Sequence, residues 1–370
     1  MSALPQTVPL VVKSISVCRN TCSPMIGELQ FLRGWQLGSP EVSFGGLSTL
    51  IATVRDGKTH LLSASDKGHW FSFEIPADSG AQSTMQIGQM GPIKDASGRP
   101  VQGDMVDAEG LAQGPDGELF VSFEDRQRLW SFSQGVLAPA TDLGVSDALD
   151  NSCTSGSHLG MEAIAMVNSS HLLGICEAGP LGEVSLMPML LINVTTKATR
   201  ASWEQHGYFA ASRNGFQPVD AARLPDPAPP SPGLTRTYLG GLLVLEREYV
   251  PLVGTNVRIS HLGAETWDAS THGGVFRSRV LAELDTHMHT VDNFEGMAVV
   301  RDATQPDKVR IYLISNDKMI RAKERTLLYE FIMADATTTT DVSADPTPTG
   351  GAPAAGAQLA GQAGSAPAGQ

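Results

Sequence analysis

The stretch Asp107-Ala108-Glu109-Gly110-Leu111-Ala112, followed by Gly117-Glu118-Leu119-Phe120-Val121-Ser122-Phe123-Glu124-Asp125, decides how this chain reads. The apolar run Leu119 to Phe123 suits a buried strand, and Pro115-Asp116-Gly117 supplies the turn before it, so the segment is a β-hairpin with a carboxylate near each end. The pattern recurs. Gly160-Met161-Glu162-Ala163-Ile164-Ala165 leads into His171-Leu172-Leu173-Gly174-Ile175-Cys176-Glu177, and the acidic pairs are equally spaced, fifteen residues in both (124−109 and 177−162). A third copy runs from Asn293-Phe294-Glu295-Gly296-Met297-Ala298 to Ile311-Tyr312-Leu313-Ile314-Ser315-Asn316-Asp317.

Two weaker copies extend the series. Phe44-Gly45-Gly46-Leu47-Ser48 precedes Leu61 to Asp66, and Val219-Asp220-Ala221-Ala222-Arg223-Leu224 precedes Gly241 to Glu246. Strand-and-turn units repeating every 40–70 residues or so are the signature of a β-propeller with one four-stranded blade per unit. The units fall near 44–90, 107–145, 158–205, 217–290 and 293–333. The fourth is long enough for one blade with loops or most of two, so five or six blades fit, with six favoured. Thr326 to Met333 is placed to pair with the strand around Phe31 and close the ring. Innermost strands converge on one axis, so an acidic position repeated per blade becomes a ring of carboxylates that calls for a cation.

The expected organisation is a loosely held lead-in over 1–25, an all-β propeller over 26–335 and a disordered Thr/Ala/Gly/Pro tail over 336–370. The Pro-rich piece Leu224 to Pro232 is a loop within the fourth unit. Of 370 residues, 41% are hydrophobic and the formal charge is −13. That charge argues against nucleic acid, whose phosphates need a basic footprint, and suits a soluble, cation-binding protein; a monomer acting on a small-molecule phosphate or ester is the separate expectation. No stretch approaches the roughly 18 apolar residues of a membrane span, and no intact secretory signal is visible. Cys18 can meet Cys22 and Cys153 can meet Cys176, which would mark an oxidising compartment; free thiols or a four-cysteine zinc site are the alternatives.

The segment Glu109-Gly110-Leu111 through Leu119 to Phe132 resembles the calcium-dependent β-propeller phytases. With Phe44-Gly45-Gly46-Leu47-Ser48, Gly160-Met161-Glu162-Ala163, Asp292-Asn293-Phe294-Glu295-Gly296 and Arg325-Thr326-Leu327-Leu328, the whole set is most similar to the phytase-like family labelled "esterase-like activity of phytase". The resemblance covers roughly residues 30–333. It implies Ca²⁺ near the axis, an exported protein placed outside the cell or in the periplasm, and hydrolysis of a phosphate ester. By the family motif, Glu109, Glu124 and Asp125 stand where the phytases hold metal. By internal repeat, Glu162, Glu177, Glu295 and Asp317 extend the metal set, and Asp66 and Glu246 occupy matching places. The family's phosphate-gripping Lys, Arg and Tyr have no motif match here.

Ca²⁺ accepts six to eight oxygen ligands in irregular geometry, which carboxylates from neighbouring blades can supply. The same carboxylates could instead cap turns by accepting backbone N–H bonds. Four of the five units follow their second-strand acid with a base, in Asp66-Lys67, Asp125-Arg126, Glu246-Arg247 and Asp317-Lys318. Lys67, Arg126, Arg247 and Lys318 are therefore candidate phosphate-binding residues, or else solvated loop ends. Glu109 and Glu295 are the expected catalytic pair. An axial calcium in a propeller lactonase or carboxylesterase, using Asn293 with Glu295, and a non-catalytic calcium-stabilised binding propeller are the competing readings. Serine chemistry has little support, since no Gly-x-Ser-x-Gly elbow is present.

Overall fold

In the computed structural model the ring is complete. The structure describes residues 5–340 apart from 77–82, 154–158, 180–184, 196–200, 212, 214, 227–233, 268–271 and 321–323. Five antiparallel sheets are built in chain order. Blade one is Ile51–Arg55, Lys58–Ala64, His69–Glu74 and Thr84–Pro92; blade two is Ala108–Gln113, Leu119–Phe123, Arg128–Phe132 and Thr141–Asp142. Blade three is Met161–Met166, His171–Cys176, Met187–Asn193 and Ser202–Ala210; blade four is Gln217–Arg223, Leu242–Val250, Gly254–Leu262 and Arg279–Leu284. Blade five takes Phe294–Arg301, Lys308–Ser315 and Thr326–Ala334, and its fourth strand is Leu29–Gly38 from the other end of the chain.

The first strands of the five blades neighbour one another in a closed circle, so the count is five rather than the favoured six. The extra length of the fourth unit is used elsewhere. Leu234–Tyr238 pairs with Ala336–Thr340, and Gly274–Arg277 runs parallel to the outer strand of blade three. The expected closure holds, with Phe331 opposite Phe31.

Two expectations about the ends change. Gln6–Ser14, inside the stretch read as a lead-in, is a strand bridging the outer edges of blades five and one, with Val8, Leu10 and Val12 buried. It masks two sheet edges at once, which removes unpaired backbone from the ring's seam. At the other end Ala336–Thr340 is paired, while the remainder of the expected tail, 341–370, lies outside the described residues. Disulfides join Cys18 to Cys22 and Cys153 to Cys176, so neither free thiols nor a four-cysteine zinc site is present. No helix of the described residues is long and apolar enough to cross a membrane.

The inner strands of blades two, three and five are buried on consecutive rather than alternate residues, because blades flank them on both sides. Close approach explains the Glu-Gly motif. A side chain at Gly110 would collide with the Glu162 carbonyl of the next blade, and one at Gly296 with the backbone at Thr49. Glycine there is a packing requirement.

Candidate metal centre at the propeller hub

The same irregularity occurs where the first strand starts in four blades. The pairing register skips Glu109 between Ala108 and Gly110, Glu162 between Met161 and Ala163, Val219 between Pro218 and Asp220, and Glu295 between Phe294 and Gly296. Each is a β-bulge, which turns the extra residue off the ladder and re-aims its side chain. In blade one the Leu47 to Ser65 bridge puts Ser48 at the matching place. The first tier of the hub is therefore Ser48, Glu109, Glu162, Val219 and Glu295.

A second tier comes from the ends of the second strands. Backbone N–H groups of Asp66, Glu124, Glu177 and Asn316 donate to the carbonyls of Gly46, Asp107, Gly160 and Asn293 at 2.8–2.9 Å. In blade four, pairing of Gln217 with Arg247 fills the fifth place. Two expected equivalences therefore move by one residue: Arg247 and Asn316 face the hub, where Glu246 and Asp317 were expected. Glu246 is buried instead between strands, accepting from Ser260 Oγ and from Ser278 Oγ at 3.3 Å. Asp317 accepts the Gly46 N–H at 2.8 Å and the Met319 N–H at 3.1 Å, latching blade five to blade one.

The hub collects seven carboxylates, those of Asp66, Asp107, Glu109, Glu124, Glu162, Glu177 and Glu295, against the cations Arg247 and Lys67. Their distribution is uneven. Arg247 donates to Glu295, to Asn293 Oδ1 at 2.7 Å and to Glu177 Oε1 at 3.3 Å. Glu295 also accepts from Asn293 Nδ2 at 2.7 Å and Asn316 Nδ2 at 2.6 Å, so both its oxygens are engaged. Burial works against the Arg247 charge, yet Glu295, Glu177 and Glu162 hold the guanidinium above the ordinary arginine range.

Glu177 links this clamp to the side of the hub formed by blades two and three. Two groups converge there, Asp107 with Glu109 and Glu124, and Glu124 with Glu162 and Glu177; within each, one oxygen per residue lies within 4.8 Å of the others. Burial, then Glu295, Glu162, Asp107 and Glu124, push the Glu109 carboxyl well above its usual range. Burial first, then Asp107 and Glu177, raise Glu124 to about 8. Burial first, then Glu177, likewise raise Glu162 well above its usual range while Arg247 works against the shift, and Glu162 and Glu177 share a hydrogen bond. Oε1 of Glu124 and Oδ1 of Asp66 are buried with no hydrogen-bond partner among the described residues. Buried like charges, orphaned oxygens and an all-oxygen donor set fit a hard divalent cation.

The other expected site residues lie outside this constellation. Asp125 and Arg126 are exposed, the latter paired with Asp104 at 2.7 Å. Lys318 is exposed, and Lys67, half exposed, sits 3.3 Å from Asp66 at the rim. Of the four basic candidates only Arg247 reaches the centre. Sequence reasoning missed Asp107 and Asn316 as hub residues, although both stand next to quoted motif residues. Two devices brace the acidic side. Arg128 lies over the Phe123 and Trp130 rings and donates to Met105 and Arg126 carbonyls, holding the loop that carries Asp107. The Cys153 to Cys176 disulfide anchors the residue before Glu177.

A cavity of about 560 Å³ opens at the far end of the axis between Leu50, Leu111, Ile164, Ala221 and Met297, with no hub carboxylate in its wall. Its wall also carries Asn168, Arg223 and Asp226, the last two paired with each other, while the crowded hub carboxylates lie outside it.

Solved structures with a similar course of chain include a putative gluconolactonase (9% identity, covering 88% of this chain and 93% of that one, TM-score 0.40) and an α-L-arabinofuranosidase from Podospora anserina (8%, 83% and 98%, TM-score 0.43). A luciferin-regenerating enzyme is similar over 78% of this chain and 92% of its own (10%, TM-score 0.32). Likeness at this level carries no argument about chemistry. Comparison with curated proteins finds no match. The family model described as "Phytase-like: Esterase-like activity of phytase" matches residues 42–318, which span all the hub residues, and the chain belongs to that family.

Proposed function

We propose that the chain is a calcium-dependent hydrolase of phosphate esters working at the acidic side of the hub. The observation that carries this reading is the pair of carboxylate groups meeting at Glu124, one with Asp107 and Glu109, the other with Glu162 and Glu177. Those five residues would hold the cation, with the orphaned Glu124 Oε1 as a ready ligand atom. When bound, calcium supplies charge neutralisation for a substrate phosphate and a lowered pKa for a coordinated water.

The chain's own residues do the rest. Glu109 and Glu162, aimed by their bulges, present carboxylates without rearranging the ladder. Glu295, expected to be catalytic, is assigned here to positioning. Its oxygens are engaged by Arg247, Asn293 and Asn316, so it anchors Arg247 as a buried cation beside the cluster. Arg247 can then offer positive charge to a phosphate from a fixed position. The lactonase-like use of Asn293 with Glu295 is disfavoured because both already bind Arg247.

The test is hydrolysis of p-nitrophenyl phosphate, phytate and p-nitrophenyl acetate, each with calcium and with chelator. Phosphate release that needs calcium and is lost in Glu109→Gln and Glu124→Gln is the expected result. Phosphate release that survives chelator and both substitutions contradicts it. Acetate turnover alone would favour the carboxylesterase reading, and silence with a calcium-raised melting temperature the binding platform.

A further inference from the structure

The outer edge of blade three carries a second constellation, unrelated to the hub. Ser202–Ala210 is joined in parallel by Gly274–Arg277, and the Gly273 N–H donates to the His206 carbonyl at 2.6 Å, which brings His272 beside His206 and Glu204. His206 is 0% exposed. Its Nε2 lies 2.6 Å from the Thr266 carbonyl, an acceptor only, so Nε2 carries the proton and Nδ1 the lone pair. The ring stacks on Phe276 with 8° between planes, which fixes the direction of that lone pair.

Nδ1 of His206 is buried and has no hydrogen-bond partner among the described residues. It faces Glu204 Oε1 at 3.8 Å, and His272 Nδ1 lies 3.7 Å from the same oxygen. These separations exceed a hydrogen bond. They approach those of ligands sharing one ion, since donors about 2.0–2.2 Å from a tetrahedral metal sit about 3.3–3.6 Å apart. One oxygen and two imidazole nitrogens, all within 4.8 Å of one another, make a donor set for a borderline metal, while the hub offers oxygen alone. A backbone carbonyl on the far nitrogen is the usual outer support of a metal-binding histidine.

We infer that Glu204, His206 and His272 form a binding site for one zinc-class divalent transition-metal ion. His206 is the preset ligand. Glu204 and His272, each about half exposed, close onto the ion and leave a position for water. The ion would fasten the segment after residue 271 to the outer strand of blade three. The site stands whether or not the hub binds calcium.

Zinc chloride titrated calorimetrically into the full chain, with calcium in excess, tests the assignment. One equivalent should bind the unaltered chain and also Glu124→Gln, with binding weakened about tenfold or more in His272→Ala and Glu204→Ala. Both are surface substitutions that leave the buried His206 in place. Cobalt should give visible absorption of nitrogen-ligated, four-coordinate character that the same two substitutions abolish. The inference is overturned if the unaltered chain takes up no zinc, if His272→Ala and Glu204→Ala bind as well as it does, or if only Glu124→Gln loses the ion.

Discussion

Blades two and four meet the axis with the same backbone and opposite charge. Both have a bulge where the first strand starts and a residue facing the hub from the end of the second strand. Blade two places Glu109 and Glu124 there; blade four places Val219 and Arg247. The difference divides the hub into a side braced by Arg247 and a side where buried carboxylates crowd together, with Glu177 shared between them. Blade four has an acid nearby, Asp220, but its carboxylate accepts the Met297 N–H at 2.6 Å and the Ala221 N–H at 2.8 Å, holding blades four and five together. A fold that repeats a backbone position thus leaves each blade free to choose the charge placed on it.

The largest expected effect lies in the sector braced by Arg247. Arg247→Met leaves Glu177 and Glu295 buried without their partner and should cost about 3–5 kcal/mol in urea unfolding. A loss below about 1 kcal/mol would mean that the clamp is not what compensates these acids. In the other sector Glu124→Gln should weaken calcium binding by about tenfold or more, measured by titration calorimetry, because both carboxylate groups lose their common member. The metal-free variant should melt no lower than the unaltered chain at pH 8, since the substitution removes repulsion.

The pH dependence separates the sectors further. Glu124 is raised from 4.5 to about 8 in the folded chain, so the folded state holds more protons than the unfolded state between those values. Its contribution to stability is complete below about pH 4.5 and is lost as pH rises through 8. Metal-free stability should therefore fall across this window, and the rise in melting temperature given by calcium should grow across it. In Glu124→Gln this component of both slopes should disappear. The smallest effect is expected at the rim, where Arg126→Ala should change stability by less than about 0.5 kcal/mol and leave calcium binding unaltered.

Much of this arrangement is legible in the sequence, for physical reasons. Glu109, Glu162 and Glu295 announce themselves because a bulged acid must be followed by a small residue where the next blade presses close, giving Glu-Gly, Glu-Ala and Glu-Gly. Strand closure is legible because Thr326 to Met333 is an apolar strand at the end of the last unit and Phe31 lies in a strand-like stretch before the first, so the two can pair across the ring's seam. Blade four defeats this reading. Its bulged residue is Val219, so the acidic marker is missing, and aligning Asp220 in its place shifts the second-strand residue to Glu246. The pairing of Pro218 with Glu246 is a register fact that no local pattern reveals. The blade count suffered from the same unit, whose extra strands are recruited by other parts of the ring. The N-terminal strand was readable: Val8, Leu10 and Val12 alternate with period two, and all three are buried.

The central claim is that the acidic sector holds a divalent cation. A crystal structure of the chain grown with calcium tests it most directly. An ion should be bonded to Glu124 together with Glu109 and Asp107, or with Glu162 and Glu177, while Arg247 keeps its contacts to Glu295. Calcium absent from the hub at saturating concentration, with the Glu124 carboxylate turned away or satisfied by protein donors alone, would contradict it.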